Sequence, residues 1–310
     1  MENRANKIVD SLSVHIPLTV PASYHEAYRE NYLRSTYNSG RLFLFAGDQK
    51  IEHLNSDFYG DGIPEESADP RHLFEIACQA KVGAFATQLG LISHYGNDYK
   101  NIRYVVKLNA KSNLVTPDYE DPISLNITSI DQVAEFKNNS GLDIVGVGYT
   151  LYLGSKYEAQ MISQAAQAMY QAHKYGLLGM LWIYPRGKAV TDERDANLIA
   201  GAAGVAVCLG ADFVKINAPH AAGGFESAQL LKRATVAAGR TGVICSGGSF
   251  TSEEIFLNDL YHQIHIGGTR GVAIGRNVHQ RTLAQALKFC DAISAIVVDD
   301  LDVETAKKLL

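Results

Sequence analysis

Several polar side chains of reactive types lie inside or directly after short apolar runs. They are Asp48, Lys107, Tyr149, Tyr184, Lys215, Ser246 and Arg276. Lys215 interrupts the apolar run D-F-V-K-I-N-A (212 to 218). Burial disfavours the ammonium form and lowers the pKa of a lysine, which leaves a free amine able to attack a carbonyl and form an iminium. The alternative is a structural ion pair with a carboxylate such as Asp48.

Two glycine-containing segments follow in the last part of the chain, S-G-G (246 to 248) and G-R-N (275 to 277). Glycines allow backbone N–H groups to approach phosphate oxygens, and Arg276 adds a charged fork. Either segment alone fits a simple tight turn equally well. Because both follow apolar runs late in the chain, the pair predicts a phosphate site beside Lys215.

Four more side chains have both a chemical and a structural interpretation. Tyr184 can pass protons near an iminium, with Trp182 as a pocket wall, or it can simply pack in the core. Asp48 can hold substrate hydroxyls, balance the charge of the strand lysine, or cap the following loop. Lys107 is a charge partner inside the fold or a satisfied ion pair. For Arg186 we favour an anchor of its own loop.

Histidine and cysteine spacing predicts no metal site and no cofactor. The pairs H-Q-I-H (262 to 265) and E-H (52 to 53) do not match HExxH and fit a solvated helix or loop better. The four cysteines, Cys78, Cys208, Cys245 and Cys290, are far apart and include no CxxC pair. We expect reduced thiols in a cytosolic protein.

Eight short apolar runs must position these residues. Their composition predicts strands that are buried on both faces. They cover residues 42 to 48, 84 to 91, 104 to 110, 143 to 152, 179 to 187, 212 to 218, 242 to 248 and 271 to 277. Stretches of helical period separate most of them, which implies parallel pairing. An open doubly wound sheet would place a glycine fingerprint after its first strand, where G-D-Q-K-I-E-H stands. The α/β class with a closed (β/α)₈ barrel is therefore predicted, with active groups at the C-terminal strand ends.

The length and hydrophobic content of the chain limit the number of domains that it can form. It has 310 residues, 46% of them hydrophobic, which suits one domain: an N-terminal helical extension (1 to 40) over one barrel end, a barrel (41 to 290) and a C-terminal helix (291 to 310). The acidic segment 55 to 71 reads as an exposed loop.

The composition also indicates which kinds of molecule the protein binds. The net charge of −5 offers no basic surface for nucleic acid or an anionic membrane. No apolar run approaches the ~18 residues of a membrane span, and the first residues lack a signal-peptide core. We expect a cytoplasmic protein with a small soluble substrate.

Six sequence blocks between Leu42 and Arg281 form a recognisable set: V-K-L-N-A-K (106 to 111), V-G-Y-T-L-Y-L-G-S (147 to 155), W-I-Y-P-R-G (182 to 187), A-D-F-V-K-I (211 to 216), S-G-G (246 to 248) and G-G-T-R-G-V-A-I-G-R-N-V-H-Q-R (267 to 281). In these blocks and their order the chain resembles the archaeal-type class I fructose-1,6-bisphosphate aldolases, relatives of the barrel aldolases that include deoxyribose-phosphate aldolase.

The resemblance implies reversible cleavage of fructose 1,6-bisphosphate to dihydroxyacetone phosphate and glyceraldehyde 3-phosphate by a homo-oligomer of barrels, which in this family is often a decamer. It assigns Lys215 as the Schiff-base lysine, Tyr184 as the general acid/base, Trp182 as a pocket wall and Asp48 as the acidic residue after the first strand. The phosphate of the dihydroxyacetone half would be bound by Ser246, Gly247, Gly248, Gly275 and Arg276.

Two departures leave the substrate open. Where the family has D-H-G-x-E-H-G, this chain has D-Q-K-I-E-H-L (48 to 54), with Lys50 and Leu54 in the places of the glycines. The segment I-N-A-P-H-A-A-G-G (216 to 224) stands where the family has a polar Y-T-G-D. A related lysine-dependent synthase or thiolase acting on another sugar phosphate, or a non-catalytic barrel that binds one, are the alternatives.

Overall fold

The fold is a closed barrel of eight parallel strands, as the sequence predicts. The computed structural model describes residues 13–52, 57–112, 114 and 121–310. Each strand pairs with its neighbours in chain order, and the last pairs with the first. The strands are β1 (Leu42–Ala46), β2 (Ala84–Gln88), β3 (Tyr104–Lys107), β4 (Ile144–Leu153), β5 (Leu178–Pro185), β6 (Phe213–Ile216), β7 (Gly242–Ser246) and β8 (Gly271–Ile274).

Helices connect the strands and surround the barrel. They are α1 (His25–Ser35), α2 (Gln49–Glu52), α3 (Pro70–Gln79), α4 (Leu89–Tyr95), α5 (Ile130–Ser140), α6 (Glu158–Lys174), α7 (Ala196–Cys208), α8 (Gly224–Ala238), α9 (Glu253–His265), α10 (Arg276–His279), α11 (Leu283–Val297) and α12 (Val303–Lys307). The predicted run 104 to 110 ends early as a barrel strand, because Asn109–Ala110 leave the barrel and pair antiparallel with Leu125–Asn126.

Strand alternation decides which side chains enter the barrel lumen. In β6, Phe213 belongs to the apolar cluster inside the barrel, whereas Val214 and Ile216 pack in the cluster between barrel and helices. Successive side chains of a strand point to opposite faces. Lys215 therefore shares the lumen face with Phe213, as the sequence suggested.

The N-terminal segment packs against the amino-terminal end of the barrel. Val14, Val20 and Tyr28 are buried in the lumen cluster together with Leu42 and Phe213. The phenol of Tyr28 also donates a hydrogen bond of 2.5 Å to Asp212, the residue before β6. This end of the barrel is thus covered by the extension.

The C-terminal part differs from the predicted single helix over 291 to 310. Helix α11 already begins at Leu283, where Thr282 and Gln285 form a capping box. The chain then turns at Asp300, whose φ is +58°, and Asp302 caps the separate helix α12. A left-handed residue cannot continue a right-handed helix, so two helices replace one.

Two further observations concern the cysteines and the apolar character of the helices. The four cysteines, Cys78, Cys208, Cys245 and Cys290, are all unpaired. In the part of the chain that the structure describes, no helix combines the length and the apolar character that crossing a membrane requires.

Candidate active site

Lys215 lies in the lumen, and no carboxylate of the described residues forms an ion pair with it. It is 7% exposed, and its register neighbours are Trp182 on β5 and Ile244 on β7. Within the described residues its Nζ makes no hydrogen bond or ion pair, and it lies 5.8 Å from the centroid of the Trp182 ring. Burial lowers the pKa of Lys215, although the nearby Asp48 opposes this effect. The side chain is therefore a desolvated amine rather than a structural cation.

The carboxylates of the lumen pair with Lys107 instead. Lys107 is fully buried, and its Nζ lies 2.7 Å from Glu52 Oε1 and 3.4 Å from Asp48 Oδ2. Burial alone would lower the pKa of Lys107, but Glu52 and Asp48 outweigh burial, so the pKa is raised. Lys107 thus stays charged, and the lysine that forms an ion pair with Asp48 is Lys107 rather than Lys215.

Glu52 is a site residue that the sequence reasoning missed. Asp48 follows β1 and Glu52 ends α2, so the two carboxylates are four residues apart. Side chains at this spacing lie on one face of a helical turn, which was the available signal. Glu52 is 8% exposed. From the sequence, the pair E-H (52 to 53) is expected in a solvated helix or loop.

Trp182 lies close to both Lys107 and Lys215 in the lumen. Its ring centroid lies 5.3 Å from Lys107 Nζ and 5.8 Å from Lys215 Nζ, and the indole is 1% exposed. Gly148 on β4 makes room for it, because a Cβ at this position would overlap the six-membered ring of Trp182. The indole forms an apolar wall that limits hydration of both amines.

Tyr184 lies two residues beyond Trp182 on the same strand and points toward the mouth of the lumen. The ring lies 6.3 Å from the Tyr152 ring, and in the described residues its hydroxyl has no hydrogen-bond partner. Burial raises the pKa of Tyr184, and the negative charges of Asp48 and Glu52 raise it further. The phenol is consequently held in its protonated form.

Two other candidates have structural partners. Tyr149 packs outside the barrel, where its hydroxyl donates to Ser124 O at 3.1 Å and lies 3.1 Å from Gln164 Oε1. Arg186 binds Glu193 through Nε and Nη2, each at 2.6 Å. Arg186 is therefore anchored in its loop, although its guanidinium also lies 5.6 Å from the Tyr184 ring centroid.

The two glycine-containing segments meet at the C-terminal ends of β7 and β8. Ser246, Gly247, Gly248 and Arg276 line one cavity of about 460 Å³. Gly248 has φ +68°, a conformation that favours glycine. This predicted phosphate cradle is thus assembled in space, beside the strand that carries Lys215.

Asn277 holds the cradle together, and the sequence reasoning did not single it out. Its side-chain amide donates to Gly247 O and Ser249 O, both at 2.9 Å, and accepts from Thr251 N at 2.9 Å. Asn277 is fully buried. The bonds tie the loop after β7 to α10, which begins directly after Gly275.

Gly275 and Arg276 connect the cradle to the loop after β1. A Cβ at Gly275 would overlap the side-chain amide of Gln49, so only glycine allows this close approach. Arg276 Nε lies 3.8 Å from Asp57 Oδ2 and is partly exposed. The guanidinium can therefore serve an anionic ligand in the cavity.

The departures from the family pattern have different structural outcomes. Lys50 Nζ donates to Ala68 O at 2.7 Å and lies 4.3 Å above the Phe58 ring, so this cation anchors the loop after β1. Leu54 lies outside the described residues. The segment after Lys215 lines the cradle cavity through Asn217, which accepts a 2.5 Å bond from Ser246 Oγ.

Two segments of the sequence, H-Q-I-H (262 to 265) and E-H (52 to 53), contain residue types that can bind a metal. His262 and His265 lie in α9, where His265 Nε2 is 3.4 Å from Asp300 Oδ1. His53 lies outside the described residues. Among the residues that are described, no group of three His, Cys, Asp or Glu side chains has the proximity needed to hold a metal ion.

Comparison with known proteins identifies the family of this site. A family model described as DeoC/LacD family aldolase matches residues 42–281. The chain belongs to this aldolase family. It is 52% identical, over 96% of its own length and 94% of the relative's, to "Fructose-bisphosphate aldolase/6-deoxy-5-ketofructose 1-phosphate synthase" of Methanocaldococcus jannaschii. It is 32% identical to the class 1 fructose-bisphosphate aldolase of Halobacterium salinarum, over 86% and 94% of the two chains.

Solved structures agree with this membership. A fructose-bisphosphate aldolase from Slackia heliotrinireducens superposes with a TM-score of 0.94 at 51% identity, covering 97% of this chain and 95% of that one. An archaeal fructose-1,6-bisphosphate aldolase whose catalytic lysine is covalently bound to a carbinolamine intermediate has a TM-score of 0.73 at 31% identity, over 87% and 98% of the chains. The class I aldolase type and the barrel fold predicted from the sequence are confirmed.

Proposed function

We propose that this chain cleaves fructose 1,6-bisphosphate reversibly to dihydroxyacetone phosphate and glyceraldehyde 3-phosphate through a Schiff base on Lys215. The observation that carries the proposal is the buried amine of Lys215, which has no ion-pair partner among the described residues and lies on the strand beside the cavity lined by Ser246 and Arg276. A neutral amine attacks carbonyls, whereas an ammonium does not. In this function residues 1–310 form one domain, and the protein works in the cytoplasm as a homo-oligomer such as a decamer.

In the first step, the amine of Lys215 adds to the C2 carbonyl and forms a carbinolamine. Tyr184 starts as a neutral phenol because burial and the nearby carboxylates raise its pKa. It donates its proton to the departing C2 hydroxyl, water leaves, and an iminium remains on the lysine. The tyrosine is then a phenolate in a site where its basicity is high.

In the second step, that phenolate takes the proton of the C4 hydroxyl. The C4 oxygen forms a carbonyl, the bond between C3 and C4 breaks, and its electron pair moves into the iminium to form an enamine on Lys215. Glyceraldehyde 3-phosphate leaves. Protonation at C3 and hydrolysis then release dihydroxyacetone phosphate and restore the amine.

The remaining candidates hold the substrate and the charge balance. The C1 phosphate would bind in the cradle of Ser246, Gly247, Gly248, Gly275 and Arg276, where backbone N–H groups and a guanidinium suit a dianion. Trp182 would shield the iminium from water. Asp48 would accept a hydrogen bond from a substrate hydroxyl while Lys107 neutralises its charge.

A second candidate activity is supported by two observations. The relative that is 52% identical is named for 6-deoxy-5-ketofructose 1-phosphate synthesis as well as for aldolase activity. That product has one phosphate, and here Lys50, in a glycine position of the family motif, is bound to Ala68 rather than free for a second phosphate. In this reaction the enamine would attack a three-carbon keto-aldehyde instead of taking up a proton.

The mechanism is tested by incubation with dihydroxyacetone phosphate in EDTA, reduction with borohydride and peptide mass spectrometry. We expect a substrate-dependent adduct on Lys215 that is absent from Lys215→Met. Lys232, a solvent-facing lysine of α8, is the internal control and should stay unmodified. An adduct on another lysine would contradict the site assignment. No adduct with either dihydroxyacetone phosphate or fructose 1,6-bisphosphate would favour a different substrate or a non-catalytic sugar-phosphate barrel.

The substrate is tested separately by product analysis. With fructose 1,6-bisphosphate alone, cleavage should yield glyceraldehyde 3-phosphate in an amount equal to dihydroxyacetone phosphate. With methylglyoxal added, conversion to a six-carbon monophosphate identifies the synthase activity. Cleavage that is unaffected by methylglyoxal supports fructose 1,6-bisphosphate as the sole reaction.

A further inference from the structure

A second cavity, of about 680 Å³, lies at the amino-terminal end of the barrel, opposite the candidate active site. Its walls come from the residues that precede β1, β6, β7 and β8 and from the N-terminal segment. The volume lies in the range of small-molecule sites. None of its lining residues belongs to the candidate active site.

Arginine side chains dominate the charged lining of this cavity. Arg41, Arg240 and Arg270 line it together with His15. Arg41 is paired with Asp300 at 2.6 Å. Arg240 and Arg270 have no carboxylate within ion-pair distance in the described part of the chain, and Arg240 Nη1 instead lies 3.2 Å from His15 Nε2. Two guanidinium groups thus line the cavity without a carboxylate partner from the described residues, in a protein whose net charge is negative.

Asp212 is the one carboxylate among the lining residues, and its bonding capacity is used elsewhere. It accepts the Tyr28 hydroxyl at 2.5 Å and the backbone N–H of Gly179 at 2.7 Å, and His173 Nε2 lies 3.1 Å away. These bonds join the starts of β5 and β6 to α1. Asp212 is therefore a structural acceptor and does not neutralise the arginines.

The rest of the lining suits the carbon skeleton of an organic ligand. Val14, Val207 and the rings of Tyr28 and Tyr32 contribute apolar surface. The Tyr32 ring is itself stacked on Phe213 at 5.7 Å, which fixes its position. The Tyr32 hydroxyl also accepts a hydrogen bond from Arg270. A rigid apolar wall beside guanidinium groups that have no carboxylate partner among the described residues suits a small molecule that has both a carbon body and several negative charges.

We propose that this cavity binds a small organic polyanion, a phosphorylated or polycarboxylic metabolite, at a site separate from the substrate. Guanidinium groups bind both phosphate and carboxylate through paired N–H donors, so the two ligand types share one recognition chemistry. The inference does not depend on the proposed aldolase reaction.

The test is calorimetric titration of the full-length protein with pyrophosphate and, separately, with tricarballylate. We expect wild type to bind pyrophosphate at two classes of site, the cradle and this cavity. Arg240→Gln/Arg270→Gln should weaken the cavity class at least tenfold, whereas Arg276→Gln should affect the cradle class alone. Arg233→Gln, an exposed arginine of α8 outside both cavities, is the charge-matched control and should titrate as wild type.

The two probes separate the sources of the anion. Tighter cavity binding of pyrophosphate supports a phosphorylated ligand, and tighter binding of tricarballylate supports a polycarboxylate. The single variant Arg240→Gln, at an exposed side chain, gives the same test if the double variant does not fold. Titration of the arginine variants as wild type would overturn the proposal. So would a changed sedimentation coefficient with unchanged anion binding, since the arginines would then serve a subunit interface.

Discussion

Replacing Lys107 with methionine should move Schiff-base formation to higher pH. In wild type, burial lowers the pKa of Lys215; Asp48 and Glu52 raise it, and the positive charge of Lys107 lowers it. The variant lacks this cation and leaves both carboxylates without their nearest partner. The pKa of Lys215 must then rise, so a smaller fraction is the free amine at neutral pH.

The size of this effect follows from the position of the two amines around Trp182. Because the nitrogens lie 5.3 and 5.8 Å from the same ring centroid, their separation is at most the sum of these distances, roughly 11 Å. At an effective dielectric constant of ~20, this repulsion is at least about 1.5 kcal/mol, or about tenfold in the protonation equilibrium. Adduct formation below the pKa of Lys215 should fall by at least that factor and recover at higher pH.

The assay is the rate of borohydride-trapped adduct formation with dihydroxyacetone phosphate as a function of pH. Lys107→Arg keeps the charge and should retain a profile near that of wild type. Glu52→Gln removes a charge of opposite sign and should move the acidic limb to lower pH. A uniform loss in Lys107→Met with an unshifted limb would refute this electrostatic argument. The broken buried pair should also cost about 3–5 kcal/mol in unfolding free energy, measured in urea.

Three further predictions concern the surrounding residues. Gly148→Ala should lower the unfolding free energy by about 1–3 kcal/mol, since its Cβ would displace Trp182; urea denaturation measures this. Tyr184→Phe should slow borohydride trapping of the Lys215 adduct with dihydroxyacetone phosphate and reduce fructose 1,6-bisphosphate cleavage by about 10²–10⁴-fold; wild-type rates in both assays would argue against acid/base catalysis by this phenol. Asn277→Ala should raise the KM for phosphorylated substrate more than it lowers kcat, because the cradle loses three hydrogen bonds.

Much of the barrel was predictable because each strand corresponds to one short apolar run of consecutive residues. Runs such as the one around Lys215 are apolar on both faces, and alternation alone places Phe213 and Lys215 on one side. Parallel strands end at the same edge of a barrel, so residues after different strands must converge. This is why Ser246 and Arg276 were expected together.

Pairing across the lumen was not predictable in the same way. Asp48 follows β1 and Lys107 ends β3. The residues around them do not determine whether Asp48 contacts Lys107 or Lys215. The short helix α2 brings Glu52 to the same ammonium and completes its charge balance. The choice of partner depends on lumen geometry, since Coulomb energy varies with a distance that sequence separation does not determine.

The sequence by itself determined the order of strands and helices, the lumen face of the strand that carries Lys215 and most of the reactive residues at the strand ends, because these depend on periodicity and on the chemistry of single side chains. The tertiary structure decided which lysine remains unpaired, how Asn277 joins two loops and where Arg240 and Arg270 meet the N-terminal segment. These features require atoms distant in sequence to come within a few ångströms, and only closure of the barrel brings them there.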